Sequence, residues 1–235
     1  MPGKEYDIAG IGSVTVLKRR GSKSIRMSFG SKGEVRVSIP SWVPYQAGAS
    51  FARDRADWIA EHQPTPTRLF SSGDRIGKAH HMTLSPDAVV KSTQVRLKGS
   101  EIVVKYPGKL NFDDPLVQTA AERGAKKALR GEGERLLPQR LRLLAEEHNF
   151  DFRSITVKQL KTKWGSCNQN HEITLNYYLM QLPWHLIDYV LIHELVHTEH
   201  LNHSDGFWQR FEEALPGAKK IRKELKAYKT SVIPN

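Results

Sequence analysis

The sequence predicts an α+β protein, a β-rich N-terminal half packed on a helical half that carries an H-E-x-x-H helix. Three observations support this. Short segments of alternating apolar and polar residues fill the first third of the chain, the pattern turns helical after "NFDDP" at 111–115, and "HELVH" at 193–197 lies in the most apolar helical stretch. The two halves are residues 1–111 and 112–235.

In the first half, "SVTVLK", "SIRMSF" and "EVRVSIP" read as strands of period two, with "GSK" between them twice. Lys32-Gly33 supplies a hairpin turn between the second and third. In "PYQAGASFARDRADWIAEH", Phe51, Arg55, Trp58 and Ile59 fall at helical spacing, which predicts one helix over the sheet, ended by "PTPT". Further strands follow at "HHMTLS", "TQVRLK" and "EIVVKYP".

The second half opens with Asp113 or Asp114 as cap and Pro115 in the first turn of a helix running to about His148. Two glycines in "RGEGE" predict an interruption; beyond it Leu137, Leu141, Leu144 and His148 share one face. "SITVKQL" and "HEITLNYYL" read as strands flanking the loop "KTKWGSCNQN". Pro183 then opens the helix "HLIDYVLIHELVHTEHL", and a helical pair covers 204–228. There is no internal repeat.

Composition narrows the class. With 39% hydrophobic and 26% charged residues the chain is neither disordered nor fibrous. Cys167 is the sole cysteine, so no intrachain disulfide forms and a reducing, cytoplasmic setting is expected. The opening "MPGKEYDIAG" lacks the apolar core of a signal peptide. The most apolar stretch contains Asp188, His193 and Glu194, so no membrane span is expected.

The net charge of +11 is uneven, with 18 Lys/Arg against 9 Asp/Glu over residues 1–111 and 18 against 16 over 112–235. A solvated basic surface accounts for this; so does an N-terminal module that meets nucleic acid, with "LKRRGSK" as its densest run.

"HELVHTEHLNH" places four histidines and two glutamates in eleven positions. On a helix His193 and His197 stand one turn apart on the same face, so both imidazoles reach one ion, and Glu194 lies beside them. A zinc hydrolase needs this set: neutral nitrogen ligands, an open position for water, and an adjacent general base. The third ligand is less determined. His200 lies too far up a continuing helix. His203 returns only if the helix stops, and Leu201-Asn202 offers a stop because Asn tolerates the left-handed cap. Ser204 or Asp205 then caps the next helix. Glu212 and Glu213 are the rival third ligands.

Several segments together resemble one family. "LKTKWGSC" at 160–167, "EITLN" at 172–176 and "HELVHTEHLNHSDGFW" at 193–208 are similar to the YgjP-like metallopeptidases, relatives of the SprT and WLM-type zinc proteases. "LKRRGSKSIRMSFGSKGEVRVSIP" followed by "RADWI" resembles that family's β-rich opening, so the likeness covers nearly the whole chain. The resemblance implies a zincin-like catalytic half, with zinc (Zn2+) held by His193, His197 and His203 and Glu194 as general base and acid. It implies a polypeptide substrate, cleaved by a zinc-bound water. The histidine spacing equals that of metzincins, but His200 stands where their helix-ending glycine falls and no Met-turn follows, which argues against that subgroup.

Other residues read as follows. "KWGSC" forms a tight loop beside the site, with Trp164 a core anchor rather than a substrate-stacking residue and Cys167 a small packing residue rather than a thiolate ligand. "EITLN" is the strand expected to pair with an extended peptide, and Asn176 orients that strand or a ligand. Asp188 lies too far along the helix to support His193. Phe207, Trp208 and Phe211 are core. His200, Tyr177 and Tyr178 are the candidates for stabilising the oxyanion. The rival function is a nucleic-acid-associated zinc protein, or a protease acting on DNA-bound proteins.

Overall fold

The computed structural model describes residues 3–30, 33–62 and 68–232. The chain separates into two units, Met1–Arg68 and Leu69–Asn235. The first holds strands β1 (Gly3–Ile8), β2 (Gly12–Arg19), β3 (Arg26–Phe29) and β4 (Val35–Pro40), then helices α1 (Tyr45–Arg53) and α2 (Ala56–His62). Its sheet runs β1-β2-β4-β3, with β2 and β4 parallel and the outer pairs antiparallel. The alternation in the sequence is the physical cause: Val14, Val16, Val35, Val37 and Ile39 all turn inward and are fully buried. Gly48 lets α1 come close, since a Cβ there would lie 2.6 Å from a Val16 methyl.

β1 was not expected, and the single helix over the sheet is two. The Asp54 amide donates to Ser50 and the Arg55 amide to Ala52, which tightens and closes α1 before α2 begins. Arg55 then lies over the Phe51 ring at 3.8 Å. The proposed turn at Lys32-Gly33 and the "PTPT" terminator lie partly or wholly outside the described residues.

The second unit contains β5 (Arg75–Ile76), β6 (His80–Asp87), β7 (Gln94–Lys98), β8 (Glu101–Pro107) and the long helix α3 (Pro115–His148). After these come β9 (Ser154–Lys158), β10 (Gly165–Cys167), β11 (Glu172–Asn176), a 3-10 turn at 177–181, and helices α4 (Trp184–Val196), α5 (Asp205–Ala214) and α6 (Ala218–Leu225). The four-stranded sheet β5-β6-β8-β7 packs Met82, Ile102 and Val104 into one core with Ala121, Ala125 and Leu129 of α3. The break between compact units therefore falls at Arg68/Leu69 rather than at 111/112. Strands 80–107 share their core with the helix that follows them.

α3 is capped by Asp114, whose side chain accepts from the Leu116 amide, and it runs unbroken past Gly131 and Gly133. The expected interruption is absent because Gly133 serves packing: a Cβ there would sit 3.0 Å from the Tyr177 Cβ. Arg140 on α3 makes two 2.7 Å bonds to Asp188 on α4, which gives that acid a structural partner. The second sheet runs β10-β11-β9, with β11 antiparallel to β10 and parallel to β9. "KWGSC" is thus in part an edge strand, not only a loop. "YYL" belongs to the 3-10 turn rather than to β11.

Candidate active site

α4 is apolar almost all round, with Leu186, Ile187, Leu191, Leu195 and Val196 buried, so the helix sits inside the second unit's core. One stretch of its surface faces a cleft of about 560 Å³. His193, Glu194 and His197 lie there, with His203 beside them.

The chain reversal that delivers His203 comes earlier than the sequence suggested. α4 ends at Val196 with His197 as its cap, and the next three residues turn tightly. The Thr198 amide and hydroxyl both bond to the Leu195 carbonyl, and the His200 amide reaches Val196. Among the described residues only Asn149 and His171 have positive φ without being glycine, so Asn202 does not provide a left-handed stop. The Arg210 guanidinium holds the reversal in place by bonding to Glu199 at 2.8 Å and to the His148 carbonyl at 2.7 Å.

His193, His197 and His203 bring three ligand nitrogens within 4.8 Å of one another. Their ring centroids lie 4.7–5.0 Å apart, and fully buried Phe207 backs all three at 4.7–5.0 Å. Phe207 is core, as expected, and it is also the platform under the imidazoles. Glu212 accepts from the Gly217 amide and Glu213 from Gln209, so the rival ligands are engaged elsewhere.

The donor set fits a metal ion. His197 donates through Nδ1 to the His200 carbonyl at 2.9 Å, which fixes the tautomer and leaves the Nε2 lone pair free. His193 and His203 face each other Nε2 to Nε2 at 3.1 Å, and the buried Nδ1 of His193 has no hydrogen-bond partner among the described residues. Two neutral imidazoles meeting head-on can share at most one hydrogen bond; a cation can take a lone pair from each. Burial, then the neighbouring His197, His203 and Arg222, push the His193 pKa down to about 3, so this imidazole is neutral. Burial lowers the His197 pKa as well.

Glu194 is almost fully buried next to this cluster. Burial pushes its pKa up to about 8, against the opposing pull of Lys163 and of a bond from the Cys167 amide. Gly165 makes room for it: a Cβ at that position would lie 2.7 Å from both Cγ and Oε1 of Glu194. The glycine in "WGSC" was legible as a turn; its service to Glu194 was not.

The strand expected to pair with peptide is corrected by the register. β11 has β10 on one side and β9 on the other, so neither of its edges is free. The cleft-lining edge is β10, with Lys163 and Trp164 just before it. Asn176 is fully buried and orients the chain leading into β10, donating to the Leu160 and Lys163 carbonyls at 2.9 Å each. Cys167 lines the cleft, and burial next to Glu194 pushes its thiol up to about 11. Tyr177 and Tyr178 are buried away from the cleft, whereas Tyr189, Tyr228 and Arg222 line it.

An apolar helix bearing paired histidines, a third histidine returned beside them and a strand edge along the cleft make up the architecture of a metallopeptidase. The chain belongs to the YgjP-like family: the model described as YgjP-like, metallopeptidase domain, matches residues 23–228. It is therefore a peptide-bond hydrolase of α+β fold. Among solved structures it is similar to the metallopeptidase zymogen abylysin of Pyrococcus abyssi, at 26% identity and TM-score 0.36 over 39% of this chain and 93% of that one. It is also similar to the metallopeptidase zymogen jannalysin of Methanocaldococcus jannaschii, at 19% identity and TM-score 0.35 over 39% and 94% of the two chains. No curated protein matches. Among the described residues no helix is long and apolar enough to cross a membrane.

Proposed function

We propose that the protein is a zinc metallopeptidase in which His193, His197 and His203 hold the ion and Glu194 is the general base. The observation that carries this is the convergence of three imidazoles beside the buried carboxyl of Glu194 on α4. Three nitrogen ligands with one position left open suit zinc. Zinc held there would polarise the substrate carbonyl and make water in the open position acidic.

The chain's own residues supply the remaining steps. The free edge of β10 offers backbone donors and acceptors to an extended polypeptide, so pairing tolerates many sequences. Glu194 takes a proton from the attacking water as its oxygen bonds to the carbonyl carbon. As the C–N bond breaks, Glu194 returns that proton to the leaving amine. Phe207 and the bond from His197 to the His200 carbonyl keep the imidazoles oriented. Glu194→Gln tests the reading: zinc content should hold while cleavage of an unfolded protein falls by about a hundredfold or more. Wild-type cleavage by the variant would remove Glu194 from the mechanism.

A second reading, nucleic acid bound by the first unit, is favoured by one observation. Arg19, Arg20 and Lys23 share a concavity of about 670 Å³ with Arg26, and among the described residues no acidic one lines it.

A further inference from the structure

The active-site cleft has a charge pattern that peptide hydrolysis alone does not require. α6 and the residue after it, "AKKIRKELK" at 218–226, hold five cations and one acid. That acid, Glu224, is occupied by His185 Nε2 at 3.0 Å from each carboxylate oxygen. Ile221 and Leu225 pack against the core, which turns Arg222 and Lys226 to the cleft. These two stand at i and i+4, where like charges destabilise a helix. On α3 the same chain pairs Lys126 with Glu122 and Arg130 with Glu134 at that spacing. On α6, Arg222 and Lys226 have no carboxylate partner among the described residues.

Lys163 is a third cation on the cleft wall, its backbone fixed by Asn176. Among the described residues the single acidic one lining the cleft is Glu194, which is almost fully buried. The cleft therefore presents a positive field with no exposed counter-charge. Arg222 is also prearranged. Its guanidinium lies over the Trp208 ring at 5.1 Å, which supports one face and leaves the N–H edge for a planar, two-oxygen acceptor. The chain beyond α6 is tied down as well, with the Thr230 hydroxyl donating to the Lys161 carbonyl at 3.0 Å.

We propose that Arg222, Lys226 and Lys163 form a carboxylate-binding subsite, so that preferred substrates carry an acidic group within a few residues of the cleaved bond. The proposal rests on the reading of this cleft as a peptidase site. The carboxylate comes either from an Asp or Glu side chain or from the substrate's C-terminus.

The test uses zinc-loaded full-length Glu194→Gln, which can bind without cleaving, and fluorescent peptides of one length. One peptide has a central Glu and an amidated end, its twin has Gln with an amidated end, and a third has Gln with a free C-terminal acid. The expected result is that at least one acid-bearing peptide binds about fivefold or more tighter than the neutral twin, with the gap closing as salt rises. Which peptide gains identifies the source of the carboxylate. Adding Arg222→Glu and Lys226→Glu should reverse the order in favour of a Lys-containing peptide while zinc content and melting temperature hold. Arg222→Gln serves as a milder variant that should narrow the gap. Equal binding of all three peptides overturns the proposal. Cleavage of the same peptides by the zinc-loaded wild type is read separately, and its complete absence would count against the peptidase reading.

Discussion

Two buried glutamates in the second unit have opposite surroundings. Glu132 on α3 is saturated: it accepts from the Lys78 amide at 2.7 Å, the Ala79 amide at 2.9 Å and His80 Nδ1 at 2.6 Å. Gly77, at a φ of +65°, leaves no space beside it for any side chain. Glu194 on α4 accepts one backbone bond, from Cys167, and otherwise faces the cleft. A buried carboxylate whose oxygens are all occupied pins a loop to a helix. One left short of partners beside three imidazoles is available to move protons. Burial alone does not distinguish the two; the count of donors does.

Matched substitutions at the two glutamates separate their roles. Glu194→Gln should lose about a hundredfold or more in peptide cleavage with melting temperature nearly unchanged. Glu132→Gln should do the reverse. Its amide NH2 would confront one of the three donors, costing about 2 kcal/mol and lowering the melting temperature by roughly 5 °C, while zinc binding persists. Calorimetry and a cleavage assay on both variants separate the roles, and equal effects on both properties would erase the distinction. Gly165→Ala perturbs Glu194 without removing it, because the added methyl must displace its side chain. Cleavage should fall by roughly tenfold with a melting temperature shift of only a few degrees, since the displaced group is a side-chain end rather than backbone. The smallest expected effect lies in the first unit. Reversing Arg19, Arg20 and Lys23 should weaken binding of an oligonucleotide at low salt, from a starting dissociation constant near ~10⁻⁴–10⁻⁶ M, and leave zinc content alone. Binding that is indifferent to these charges and to salt would assign them to the solvated surface.

Legibility in the sequence followed the range of the interactions. The strands of the first unit were readable because alternation along Val14–Leu17 and Val35–Ile39 is a local consequence of one buried face. His193, Glu194 and His197 were readable for the same reason, a single helical turn placing all three. The return of His203 was anticipated but its cause was misplaced. The turn depends on Thr198 and on Arg210 reaching Glu199 and His148, contacts that no local pattern announces. The glycines in "RGEGE" misled because Gly133 answers to Tyr177, more than forty positions on. The free edge went to β10 rather than β11 because strand order is a property of the whole sheet. Glu132 carries no signal in the sequence. In sequence it looks like one more charge on a helix, and only its three donors reveal it as buried and structural.

We infer that three imidazoles, one of them delivered by a chain reversal, hold a single zinc ion beside Glu194. Elemental analysis of the wild type and His203→Ala, purified side by side without chelator, decides this. About one zinc per chain in the wild type and a strongly reduced content in a folded variant is the predicted outcome. Full zinc occupancy in His203→Ala would contradict it and return the third ligand to another group.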